Sequence, residues 1–127
     1  MVALIEVVQV RQVPGEPRRR WFVSRDLDLI VWCDGSDSPI GFQLCYEQGL
    51  PERALTWKPE LGFVHMAVDD GETDVGLRYK GTPILVSDGY FDANWVSDLF
   101  SEESAQLPPE IVEFVATKLR QHPDYVR

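Results

Sequence analysis

The chain lacks long apolar runs. None approaches the roughly 18 residues that a membrane-spanning helix needs, so no membrane partner is expected. The opening stretch MVALIEVVQV has no basic residue and carries Glu6. It reads as a first strand, not as a signal peptide. Cysteine and histidine are scarce, at two each. A zinc site needs three or four ligands at short spacing, and Cys33, Cys45, His65 and His122 offer no such pair, so no metal is expected. Two cysteines on opposite faces of one hairpin do not form a disulfide framework. Free thiols fit a reducing cytoplasm. No GxGxxG, Walker loop or GxSxG is present, so no cofactor is expected and no catalytic motif supports an enzyme. The acidic stretch Asp69-Asp70-Gly71-Glu72-Thr73-Asp74 has glycine at position 3 of a calcium loop that requires it at position 6. It reads as a hydrated turn.

What is present suits one domain spanning residues 1–127. That length buries enough surface for a core without metal or disulfide support. The net charge of −9 is uneven. Residues 1–64 carry 7 Lys/Arg against 9 Asp/Glu, and residues 65–127 carry 5 against 12. An acidic balance repels nucleic acid. Arg18-Arg19-Arg20 beside Trp21-Phe22 has the composition of a strand-gripping patch. Three arginines are few for that task, and a solvated loop or salt-bridge partners is the expected reading.

Periodicity points to an α+β domain. Five or six antiparallel strands are expected over residues 2–86, with two C-terminal helices packed on the sheet. Val2–Val13 is rich in β-branched residues and ends at Pro14-Gly15-Glu16-Pro17, a turn signal. Arg20–Val23 reads as a short strand. In the hairpin Leu27–Tyr46, two sets coincide on one face: Leu27, Leu29, Val31 and Cys33, then Ile40, Phe42, Leu44 and Tyr46. This holds only if paired positions sum to an odd number, as 33 with 40. Trp32 then lies opposite Gly41, where a ring covers bare backbone. The other face carries Asp28, Ile30, Trp32, Gln43 and Cys45, too apolar to be left to water.

The second hairpin turns at Pro59-Glu60-Leu61-Gly62. Leu55 and Trp57 best match Val64, Met66 and Val68, which puts Thr56 and His65 on the other face. Leu77–Tyr79 and Pro83–Val86 read as further short strands. Asp92 is the expected N-cap of a helix whose apolar stripe is Trp95, Val96, Leu99 and Phe100. Ser101–Leu107 reads as a loop. Pro108-Pro109-Glu110 starts a second helix with Ile111, Phe114, Val115 and Leu119 inward, and Pro123 stops it.

RRRWF (Arg18–Phe22), DLDLIVW (Asp26–Trp32), GFQLCY (Gly41–Tyr46) and ALTW (Ala54–Trp57) resemble a family of small uncharacterised bacterial proteins. LPPEIVEFV (Leu107–Val115) is similar to that family's closing helix. The resemblance implies a self-contained bacterial protein and no particular activity.

Two functions from different classes follow. The first is a non-enzymatic interaction domain, with an aromatic sheet face or edge that binds a partner protein or a second copy of the chain as a homo-oligomer. The second is a small-molecule pocket between sheet and helices. There Trp32, Gln43, Cys45 and His65 would orient a ligand and Arg20 would neutralise an anion. Cys45 beside His65 is the one thiol–imidazole arrangement that the residues allow, and it needs both on one face.

Overall fold

The computed structural model describes residues 3–46, 52–69, 84–87 and 91–126, with backbone alone for 67–69 and 84–87. Seven antiparallel strands follow one another in chain order across a single sheet. They are β1 (Ile5–Glu6), β2 (Arg18–Val23), β3 (Leu27–Cys33), β4 (Pro39–Tyr46), β5 (Arg53–Lys58), β6 (Gly62–Asp69) and β7 (Ile84–Ser87). Two helices, α1 (Ala93–Glu103) and α2 (Pro109–Gln121), close the chain. The architecture is α+β. Six of the strands have four residues or more, and β1 has two.

From Leu27 to Trp32 the β3–β4 register is the expected one, but the expected pairing of Cys33 with Ile40 does not form and Ile40 is not in the buried set. Leu27 pairs with Tyr46, Leu29 with Leu44, Val31 with Phe42 and Trp32 with Gly41. Alternation does the rest: Leu27, Leu29, Val31, Cys33, Phe42, Leu44 and Tyr46 are all buried. A shift after Trp32 brings Pro39 opposite Cys33, so Ile40 is the extra residue of a bulge. The turn that joins the strands is tied by Asp34. Its Oδ1 accepts from the amides of Ser36 at 2.8 Å and Ser38 at 3.0 Å.

The buried face of the sheet packs on Val96 and Phe100 of α1 and on Ile111, Val115 and Leu119 of α2. Asp92 caps α1 by accepting from the Trp95 amide at 3.2 Å. Pro109 occupies the first turn of α2, where a missing N–H costs no helical bond.

Four further expectations are corrected. Val2–Val13 is not one strand, because after Val7 the backbone leaves the ladder and Gln9 adopts a left-handed φ of 62°. In the second hairpin Leu55 pairs with His65, Thr56 with Val64 and Trp57 with Phe63. The loop between paired Lys58 and Gly62 has three residues, so the parity is opposite to the expected one. Helix α1 continues through Glu103 into the stretch expected as loop, and Trp95 is 37% exposed, off the buried stripe. Arg18 to Arg20 lie in a strand rather than a loop, although Arg18 and Arg20 do form salt bridges, to Asp37 and Glu6. The stretch Leu77–Tyr79 and the acidic turn beyond Asp69 lie outside the described residues.

Candidate functional site

Both helices lie on one side of the sheet. The residues that alternate away from them form a second face across β2 to β6, open in that no helix among the described residues covers it. Trp21 opposite Ile30, Trp32 opposite Gly41, Gln43 opposite Thr56, and Ala54 opposite Met66 build it row by row. Trp32 lies over Gly41, whose Cβ, if present, would sit 3.0 Å from the Trp57 carbonyl oxygen and 3.5 Å from the Trp32 ring. Lys58 Nζ stands 4.3 Å from the centre of the same indole, a cation–π contact.

The polar groups of this face are tied to one another. The Trp21 indole N–H donates to Asp28. Thr56 Oγ1 donates to Gln43 Oε1 at 3.1 Å, and Gln43 Nε2 donates to Cys45 Sγ at 3.7 Å. Burial pushes the Asp28 carboxyl up, against the stabilising indole N–H. Burial, with Glu52 and Asp28 nearby, pushes the Cys45 thiol up to about 12. At neutral pH it is a protonated thiol and a poor nucleophile.

Of the five residues expected at a site, the structure brings three together. Trp32, Gln43 and Cys45 share the open face. Arg20 pairs across from buried Val31 on the helix side, where its Nε and Nη2 both bond Glu6 at 2.8 Å. His65 is also on the helix side, opposite Leu55. A pocket between sheet and helices built on Trp32, Gln43, Cys45 and His65 does not form, and the Cys45–His65 pair is split by the sheet itself. Among the described residues no group of three His, Cys, Asp or Glu side chains converges as a metal site would require.

The histidines meet elsewhere, in a cluster that the strand pattern did not reveal. Tyr46 Oη lies 2.5 Å from His65 Nε2. Phe91 stands between the two imidazoles, its ring centre 4.9 Å from that of His65 and 4.7 Å from that of His122. His122 Nδ1 accepts from the Asp124 amide at 3.0 Å, and burial holds its pKa below the usual value. With Nδ1 accepting, the neutral ring carries its proton on Nε2. The signal was available: Tyr46 belongs to the buried set, and a three-residue loop carries His65 to the same side.

A second buried polar group escaped the sequence reading. Glu103, the last residue of α1, is 3% exposed. It accepts from Ser24 Oγ, and its main-chain oxygen accepts from the Leu4 amide at 2.8 Å. Burial and a hydrogen bond with Asp26 raise its carboxyl to about 7.

Compared with family models, curated proteins and solved structures, the chain matches none of them. No helix among the described residues is long and apolar enough to cross a membrane.

Proposed function

We propose that the chain is a non-enzymatic interaction domain that meets a second copy of itself, or a partner protein, through the open face of its sheet. One observation carries this reading. Trp21, Ile30, Trp32, Cys45, Val64 and Met66 are half-buried on the side away from both helices, while Asp28, Gln43 and Thr56 among them bond inward. Such a surface offers apolar area with little polar desolvation left to oppose contact, which is the character of an interface core. The high pKa of Cys45 and its separation from His65 weigh against thiol chemistry here. The resemblance to small bacterial proteins adds no reaction to set against this reading.

Sedimentation of the full chain over a wide concentration range tests it, alone and against lysate-derived partners identified by cross-linking. Ile30→Glu and Val64→Glu place carboxylates on the face without touching the core. Association lost in both variants, with circular dichroism unchanged, is the expected result. Association that survives both moves the interface off this face.

The small-molecule reading retains one observation of its own. Two clefts open on the face, one of about 200 Å³ lined by Val10, Arg11, Arg19, Trp21 and Ile30, the other of about 280 Å³ beside Trp32, Gly41 and Lys58. Both fall below the usual size of a ligand pocket.

A further inference from the structure

Strand β2 is the sheet's last full strand on its side, and the described residues pair only part of its outer edge. β1 pairs with Phe22 and Val23, and the Val7 amide reaches the Trp21 carbonyl at 2.8 Å. Beyond that point the backbone turns away at Gln9. The next outward-facing groups, the amide and carbonyl of Arg19, are met by a side chain. Gln12 Oε1 accepts from the Arg19 amide at 2.8 Å, and Gln12 Nε2 donates to the Arg19 carbonyl at 2.9 Å. A carboxamide presents the same donor and acceptor as a peptide group, so Gln12 stands where a neighbouring strand would place its main chain.

The ground along this edge is a groove of about 520 Å³ lined by the segment 6–10, Gln12 and Arg18 to Arg20. Three arginines face one glutamate there, in a chain of net charge −9. Arg18 and Arg20 are engaged by Asp37 and Glu6. Arg19 gives Nη2 to the Arg11 carbonyl at 2.8 Å, but its Nε is shielded from water and has no acceptor among the described residues. A solvent-shielded N–H without a partner is costly, and a carboxylate is the acceptor that suits a guanidinium.

We propose that this edge is a docking site for an extended acidic peptide, whose main chain replaces the Gln12 carboxamide on Arg19 and whose carboxylate pairs with the Arg19 guanidinium. This is strand addition to a sheet edge. The segment around Gln12 acts as a removable cover, in keeping with how native sheets block their edges. The Arg19 side chain borders the open face beside Trp21 and Ile30, but the main-chain edge of β2 is not part of that face, so peptide docking at the edge and association through the face are read by separate variants.

The probes are three blocked heptapeptides: alternating Val and Asp, alternating Val and Lys, and the acidic one N-methylated at alternate residues. Their binding to the full chain is read by calorimetry, with Gln12→Ala and Gln12→Asn, whose amide is too short to bridge Arg19, and with Arg19→Gln. Gln12 is exposed, so both Gln12 variants are expected to fold. The acidic peptide binds at least tenfold more tightly than the basic one, and the N-methylated peptide does not bind. Freeing the edge in either Gln12 variant tightens binding by about tenfold, the scale of two net hydrogen bonds, and Arg19→Gln weakens it. Val64→Glu, on β6 away from this edge, leaves it unchanged. Equal binding of the N-methylated peptide, no gain in either Gln12 variant, or no binding of the acidic peptide at millimolar concentration overturns the proposal. Tight binding of a single-stranded oligonucleotide that is indifferent to Gln12 overturns it too, and assigns the arginines to phosphate.

Discussion

At Gly41 the absence of a side chain is a packing requirement. An added Cβ would come within 3.0 Å of the Trp57 carbonyl, a backbone atom of the adjoining strand that cannot swing aside. Gly41→Ala therefore has to part β4 from β5 or lift Trp32. We expect a loss of about 1–3 kcal/mol, the usual range for overpacking, read as a lower denaturant midpoint at unchanged slope. Cys45 is the last but one residue of β4 and lies off the helix-packed face, yet its chemistry is that of a core residue. With its thiol pushed up to about 12 by burial and the nearby carboxylates, thiolate at pH 7 is scarce. A thiol reagent is expected to modify Cys45 far more slowly than a free cysteine under the same conditions, and at ordinary rates in denaturant. Rapid modification of the folded protein would remove the burial argument.

Between elements, one-residue differences in loop length decide which side chains meet. The first hairpin was legible because both of its strands carry clean apolar alternation, so only one parity buries both sets. The second was not, because Leu55, Trp57, Phe63, Val64 and Met66 supply apolar residues to both faces, and the loop length had to decide. Gly62, with φ at +72°, closes that three-residue loop. Gly62→Ala keeps the space but not the conformation, since nothing lies within 4 Å of its Cβ position. A destabilisation of roughly 1 kcal/mol is expected from the left-handed backbone alone. The first strand was over-read for another reason. VVQVRQV has strand composition, but Gln9 breaks the ladder and a side chain at Gln12 does the work of backbone pairing. The helices were legible from the Asp92 cap and the proline at the second helix's start. The end of α1 was not, because Glu103 in Ser101–Leu107 has the look of a solvated residue. Its burial and its hydrogen bond with Asp26 raise its pKa above 4.5 to about 7. The folded state thus holds this proton more tightly than the unfolded chain. The contribution is fully present below about pH 4.5 and is lost as pH rises through about 7. Glu103→Gln should flatten this part of the stability profile, so the difference between wild type and variant, from denaturant midpoints at successive pH values, falls as pH rises. His122 pulls the other way, since its lowered pKa costs stability as pH falls below 6.5, and the difference between the two proteins cancels it.

Among the described residues, both helices pack on one side of the sheet. The alternation in the first hairpin already placed Ile30, Trp32 and Cys45 together on a second apolar face, and no helix among the described residues lies there. What alternation could not supply was which candidate residues share that face, because Arg20 and His65 are assigned to the helix side by pairings beyond the hairpin. The charge of the molecule gives the interaction reading a sign that can be measured. Two copies, each of net charge −9, repel over a distance comparable to the Debye length, about 10 Å at 0.1 M salt. Pairing through an apolar face must overcome that repulsion, and salt screens it while leaving the apolar contact in place. Self-association is therefore expected to tighten several-fold as salt rises from about 50 to 500 mM, with the increase abolished in Ile30→Glu along with the association. Contact with a basic partner has the opposite dependence, since attraction is what salt then screens. A dimer constant that weakens with salt would place charged groups, not Trp32 and its neighbours, at the centre of the interface. Complex formation with another chain that weakens with salt, while the protein alone stays monomeric, would assign the open face to a cationic partner.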